Sequence, residues 1–424
     1  MDNQELIIRT DAAIYLITFL YWLIKLKKLN VGLIILGIMT ISHLGTIFYY
    51  TILSSLGVYM NIQIAPYVFL YLMIVMGLYP FLTYKGLKHV NIGGNLNTIK
   101  GIAIFIIFVN LEPLLENIYL ALFSRGEYAD LYEDKQDGAL EIYSFIGEKF
   151  MRWASYFKIC ATVSLFYFLS KYKSNRYLLL GLFLCQINYV LQGMNTGSRG
   201  NIVSQVIMCV LCFVLFSPQY SSHLIRKTKK NLLILLIPIG LLLFGITASR
   251  YESGRKDKSM VEWIFLYVSE GPIKFNNEMW DGEHNTNGDV NMNFLKDLLG
   301  MKTYVTYEER NDHYIAKNGR WIEVFYTYVG DFVSDFGIIG AFFICVALFL
   351  ITKKILKSDT LHFHDVLLLM FLLHFYAIGF ASNCYRSYFL QRGLFYNSFI
   401  YIYLFFASKR FSQATNRSIT SKQI

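Results

Sequence analysis

The chain has 424 residues, of which 55% are apolar and only 16% charged. A soluble domain carries about a quarter charged residues, and here the apolar residues fall in long blocks, which excludes a soluble enzyme, a collagen-like chain and a disordered chain. The net charge of +10 comes from 39 Lys and Arg against 29 Asp and Glu; its placement between apolar blocks points to membrane topology and to no nucleic-acid partner.

A membrane-spanning helix takes roughly 20 apolar residues. In chain order the blocks predict spans at 12–25, 31–55, 64–84, 101–122, 152–170, 177–193, 201–217, 232–249, 322–351, 365–382 and 394–408. The expected fold class is an all-α polytopic membrane protein with about 11 transmembrane helices. Residues 1–424 form a single integral membrane domain. The fourth span is the weakest, because Asn110, Glu112, Pro113 and Glu116 interrupt it.

The connections orient the chain. Lys25, Lys27 and Lys28 open a basic set that recurs at Lys85–Lys100, Lys171–Arg176, Arg226–Lys230, Lys353–Lys357 and Lys409–Arg410. These alternate with neutral or acidic connections, so the positive-inside rule places the N-terminus outside and the C-terminus in the cytoplasm. The tail 409–424 is short, polar and expected to be loose. The outer face carries two loops, 123–151 and the dominant 250–321. Loops that long are uncommon unless functional. Within the second, Met260–Val268 (MVEWIFLYV) is apolar and expected to lie on the membrane surface. Trp280 and Trp321 beside Asn276–Asn277 and His284–Asn287 suit sugar recognition and interface anchoring equally.

Five arginines fall on the outer side, against the insertion bias: Arg199, Arg250, Arg255, Arg386 and Arg392. A guanidinium offers a permanently charged planar fork for phosphate oxygens. Several around one cavity would hold a pyrophosphate; singly, each suits a lipid phosphate or a loop acid. Two acid pairs share helix faces near outer span ends, Glu112 with Glu116 and Asp331 with Asp335. Intramembrane acids are costly and tend to be functional or paired. Each is either a general base or a structural partner for arginine, and His313 in the long loop is a further base candidate. His362, His364 and Asp365 have metal-like spacing but no further partner, so no metal is expected. Cys209 and Cys212 sit mid-helix without a histidine and are expected to pack. No P-loop, dinucleotide fingerprint or DxD motif occurs, so no cofactor is expected and the energy for chemistry must arrive with the substrate.

GSRG at Gly197–Gly200, SR at Ser249–Arg250, YVSEGPIKF at Tyr267–Phe275 and TYVGDFVSDFGIIG at Thr327–Gly340 together resemble Wzy-type polymerases, the O-antigen or oligosaccharide repeat-unit polymerases of bacteria. The resemblance covers about Asn188–Phe343; the first half matches in hydropathy alone. It implies a metal-independent, GT-C-like glycosyltransferase of the bacterial plasma (inner) membrane. The donor is a glycan on undecaprenyl pyrophosphate, the acceptor one repeat unit on the same lipid, and the product O-antigen, capsule or exopolysaccharide. Its partners would be the bilayer, a chain-length co-polymerase and a repeat-unit flippase. By the same resemblance Arg199 and Arg250 would grip pyrophosphate; Arg255, Arg386 and Arg392 join them by topology alone. Asp331, Asp335, Glu112 and His313 are the base candidates. The alternatives are an O-antigen ligase-like glycan transferase, which uses the same chemistry, and a flippase or transporter, which predicts midplane charges and internal repeats.

Overall fold

The computed structural model describes residues 2–58, 60–92, 96–123, 143–171, 175–254, 260–280, 286–304, 307–318 and 325–420. The helices are α1 (Asn3–Leu26), α2 (Val31–Ser55), α3 (Ile64–Thr83), α4 (Leu96–Phe123), α5 (Phe145–Tyr156), α6 (Lys158–Leu169), α7 (Arg176–Asn195) and α8 (Arg199–Phe216). They continue as α9 (Ser222–Gly254), α10 (Met260–Lys274), α11 (Asn293–Leu298), α12 (Tyr307–Asn318), α13 (Thr327–Ile355), α14 (Phe363–Ile378) and α15 (Tyr388–Thr420). Among the described residues eight helices are long and apolar enough to cross a bilayer: α1 to α4, α7, α8, α9 and α13. The chain is a multi-pass membrane protein.

The remaining expected spans take other forms. The block at 152–170 is divided between α5 and α6 at Phe157, whose φ of −94° and ψ of 11° leave the helical region. The block at 365–382 lies mostly in the shorter α14, which stops at Ile378 where the chain turns. The block at 394–408 lies inside α15, whose backbone continues as helix to Thr420. No Gly or Pro follows Gly393, so nothing in the backbone chemistry stops it earlier.

Contacts divide the chain into two compact units. The first comprises Met1–Lys85, Asp257–Lys357 and Leu372–Arg392; the second comprises Gly86–Lys256, Ser358–Phe371 and Gly393–Ile424.

In the first unit α10 packs along α2, which corrects the expectation that Met260–Val268 lies on the membrane surface. Ser42 Oγ donates to the Val268 carbonyl at 2.8 Å, and Phe48 stacks on Phe265 with centroids 4.9 Å apart. A Cβ at Gly45 would collide with Ser269 Oγ. Lipid tails are as apolar as leucine, so helices in a bilayer associate through close packing and interhelical hydrogen bonds, and small residues at this crossing supply both. The start of α13 docks on the turn after α14: Thr327 N–H donates to Ala381 O and Tyr328 N–H to Gly379 O, both at 2.9 Å. At Gly337 the backbone takes φ 67° and ψ 178°. That conformation is open to glycine alone, and it breaks α13 into a polar half, 327–336, and an apolar half, 338–355.

In the second unit α4 runs through Pro113 without a break. Of the residues that weakened this span in the sequence, Asn110 joins Asn117 in a buried ladder against α7. Asn188 Nδ2 donates to Asn110 Oδ1 at 2.9 Å, Asn117 Nδ2 to Asn188 Oδ1 at 2.8 Å, and Asn195 Nδ2 to Asn117 Oδ1 at 2.8 Å. A buried amide is costly unless hydrogen-bonded, so the asparagines fix helix pairing rather than end a helix. One feature had no sequence signal: strands His89–Asn91 and Thr360–His362 pair in parallel, Val90 opposite Leu361. The Lys88–Asp359 ion pair at 2.8 Å flanks them.

Candidate functional site

Among the described residues a dense polar network outside the helix pairs lies in the first unit. The polar half of α13 meets there the segments 286–299 and 379–392. Asp331 and Asp335 are one helical turn apart on the same face, and both are buried.

Asp331 is 0% exposed. Its Oδ2 accepts the Asn383 backbone N–H at 2.5 Å, and its Oδ1 lies 3.3 Å from Arg386 Nη1. The Arg386 side chain keeps 24% of its exposure. A guanidinium carries five N–H donors in a fixed fork, so one arm is anchored from below while others remain for an anion. Gln391 steadies the same turn: its Nε2 donates to Arg386 O and its Oε1 accepts Phe294 N–H, both at 2.9 Å.

Asp335 does a different job. It accepts the Thr286 hydroxyl, the Val290 N–H at 3.0 Å, the Asn291 N–H at 2.7 Å and Asn291 Nδ2 at 2.7 Å. A carboxylate offers about four acceptor sites, so these donors fill Asp335. It pins the 286–291 turn to α13. Asn291 links the two acids: its Nδ2 also donates to Asp331 O at 2.8 Å, and its Oδ1 accepts Asn383 Nδ2 at 2.6 Å. Asn291 and Asn383 were not expected from sequence. The available signal was the crowding of asparagine around the Asn287–Gly288 turn.

Next to this network, Asp289 gathers Lys296, His313 (Nε2 at 2.9 Å) and Lys317 (3.5 Å). His313 also stacks on Tyr304, centroids 3.8 Å apart. Burial alone would push the Asp289 carboxyl up; hydrogen bonds from Lys296 and His313 and the charges of Lys296 and Lys317 outweigh it and hold it below the usual carboxylate range. The cluster clamps α11 to α12, and His313 is engaged in it.

The other expected site residues fall elsewhere. Arg392 lies in the first unit, in the first turns of α15 and partly exposed. In the second unit Arg199 opens α8, where its Nη1 donates to Thr247 Oγ1 of α9 at 3.2 Å. Gly197, before it, ends α7 through hydrogen bonds from Gly197 N to Met194 O and from Ser198 N to Gly193 O. Glu112 lies on α4 beside Glu116, whose Oε1 accepts the Ser144 N–H at 3.2 Å. Arg250 is placed on α9 by its backbone, its side chain outside the described residues; Arg255, His284, Trp321 and loop residues 124–142 also lie outside them. Trp280 packs edge-on to Phe275. Among the described residues no three His, Cys, Asp or Glu side chains converge as a metal site.

No protein-family model, no curated protein and no solved structure matches the chain.

Proposed function

We propose that the chain is a membrane-embedded glycosyltransferase that polymerises oligosaccharide repeat units carried on undecaprenyl pyrophosphate, at the outer face of a bacterial plasma membrane, within a GT-C-like helical architecture. The observation that carries this reading is Arg386: a partly exposed guanidinium fixed on a fully buried carboxylate at one end of a membrane-spanning helix. In the topology expected from the basic connections, with the N-terminus outside, that end of α13 faces outward.

The chemistry follows from the parts. A hydroxyl of the acceptor attacks the anomeric carbon of the donor; a new C–O bond forms while the bond from that carbon to the pyrophosphate oxygen breaks. The hydroxyl proton passes to a carboxylate, and undecaprenyl pyrophosphate leaves with the bonding electrons. The free N–H groups of Arg386 stabilise the charge that develops on the leaving oxygen. Asp331 positions Arg386 and accepts two hydrogen bonds against the four on Asp335, so of these two acids it keeps the greater capacity for a proton. Arg392, in the same unit, is a further candidate for the pyrophosphate, and the chain-length co-polymerase and repeat-unit flippase are the implied partners.

The test replaces Arg386 by Ala in a host deleted for the gene and separates the surface glycan by size. A ladder collapsed to single capped units is the expected outcome. A normal ladder would sink the proposal, and loss of all attached glycan would reassign the chain to the ligases.

A further inference from the structure

Among the described residues nearly every buried polar group around Asp331 has a partner, and two do not. Asn293, the first residue of α11, is 0% exposed, and neither its Oδ1 nor its Nδ2 has a hydrogen-bond partner. The Ser334 hydroxyl, on a side chain 4% exposed, has none either. Native proteins keep few such groups, because each gives up its bonds to water and gains nothing in return. An apolar side chain would fill either position at no such cost.

The two groups sit on elements that Asn291 ties together. Asn293 follows Asn291 by two residues, and Ser334 lies between Asp331 and Asp335 on α13. Between them they offer an amide donor, an amide acceptor and a hydroxyl that is both. The hydroxyl groups of a sugar ring present the matching combination, and a simple anion or an apolar ligand does not.

The segment that carries Asn293 is bounded by left-handed turns, Asn287–Gly288 (φ 54° and 87°) at one end and Gly300 (φ 68°) at the other. Glycine takes that conformation without strain. Between the turns the segment is held by individual hydrogen bonds: Asp335 to the Val290 N–H and to Asn291, Asn383 to Asn291 at 2.6 Å, Gln391 to the Phe294 N–H at 2.9 Å, Tyr388 to Asp297 at 2.6 Å, and Asp289 to Lys296.

We propose that Asn293 and Ser334 form a subsite that hydrogen-bonds the hydroxyl groups of a saccharide unit, entered when segment 287–300 lifts. The inference rests on the polymerase reading for the identity of that saccharide: the repeat unit beside the Arg386 anchor.

The experiment uses the full chain purified in detergent, and the probe is the repeat-unit oligosaccharide released from the host's surface glycan by mild acid. Melting temperature is read with and without the probe for the natural protein, Ser334→Ala and Asn293→Leu. Without probe, Ser334→Ala is expected to melt at or above the natural protein. The natural protein is expected to gain several degrees from millimolar probe, and each variant that folds to lose at least half of its own rise. A drop in the probe-free melting temperature of Ser334→Ala overturns the inference, because the hydroxyl would then be satisfied inside the protein. An undiminished rise in Ser334→Ala, or no rise in the natural protein, overturns it too. Should Asn293→Leu not fold, Ser334→Ala decides alone. The polymerase reading fails separately, if deleting the gene leaves the glycan ladder intact.

Discussion

The Asp331 carboxylate lies 3.3 Å from the Arg386 guanidinium, the acid wholly buried and the base a quarter exposed. The asymmetry assigns the roles. The acid cannot meet a bulk anion, and the base can.

Arg386→Ala leaves Asp331 buried with one main-chain donor. Removing one partner of a buried pair costs about 3–5 kcal/mol, which the exposure of Arg386 reduces, so the expected loss of stability sits at or below the lower bound. The loss of polymer is expected to be larger, on the order of 10²–10³-fold, the range for removal of one donor to a developing oxyanion. Arg386→Lys keeps the charge and loses the planar fork; it is expected to recover stability and little polymer. Melting in detergent and glycan ladders from the same strains check both.

Asn291→Ala removes two donor contacts from Nδ2 and the acceptor for Asn383. Buried groups left unsatisfied cost about 1–3 kcal/mol each, so Asn291→Ala is expected to destabilise more than any substitution on the exposed face of α9. A double-mutant cycle with Asn383→Ala should return a coupling of about 0.5–3 kcal/mol, since the two amides share a hydrogen bond. Strict additivity would mean that the network does not act as a unit.

Asp289 gives the pH dependence. Its carboxyl is held below the usual range in the folded protein. Its clamp on α11 and α12 is therefore at full strength above the unfolded value of about 4 and weakens as pH falls through the lower folded value. The natural protein and Asp289→Asn are expected to differ in melting temperature at neutral pH and to converge as pH falls below about 4. A constant gap across that window counts against the clamp.

Gly337→Ala asks an alanine to adopt φ 67° and ψ 178°. Strain of that kind costs of order 1–3 kcal/mol. A lower melting temperature is expected, with a larger proportional loss of polymer, because the kink sets the direction of the half-helix that carries Asp331. Gly340→Ala is not a control, as a Cβ there would press on Phe336.

Spacing in the sequence made part of this structure legible. Long apolar blocks forecast most of the spanning helices, because a bilayer demands length and apolarity together. The i,i+4 spacing of Asp331 and Asp335 forecast a shared face, and the side of the membrane put Arg386 among five outer arginines without setting it apart from them. The remainder depends on contacts distant in sequence. Asn291 and Asn383 are 92 positions apart, and amides in turns carry no periodic signal. Asn110 and Glu116 looked like interruptions because their partners on α7 and before α5 were invisible. The 260–274 helix looked like a surface segment because nothing in its own residues shows the small-residue groove on α2 that receives it.

The break at Gly337 also settles an account with the lipid. At 1.5 Å per residue, Ile338–Thr352 rises about 23 Å, and Lys353 and Lys354 beyond it can reach toward the headgroups. The apolar half therefore crosses most of a hydrocarbon layer about 30 Å thick. The preceding turns are released from that duty, and a pair of carboxylates can ride on a helix continuous with a transmembrane segment without either one having to dwell among acyl chains.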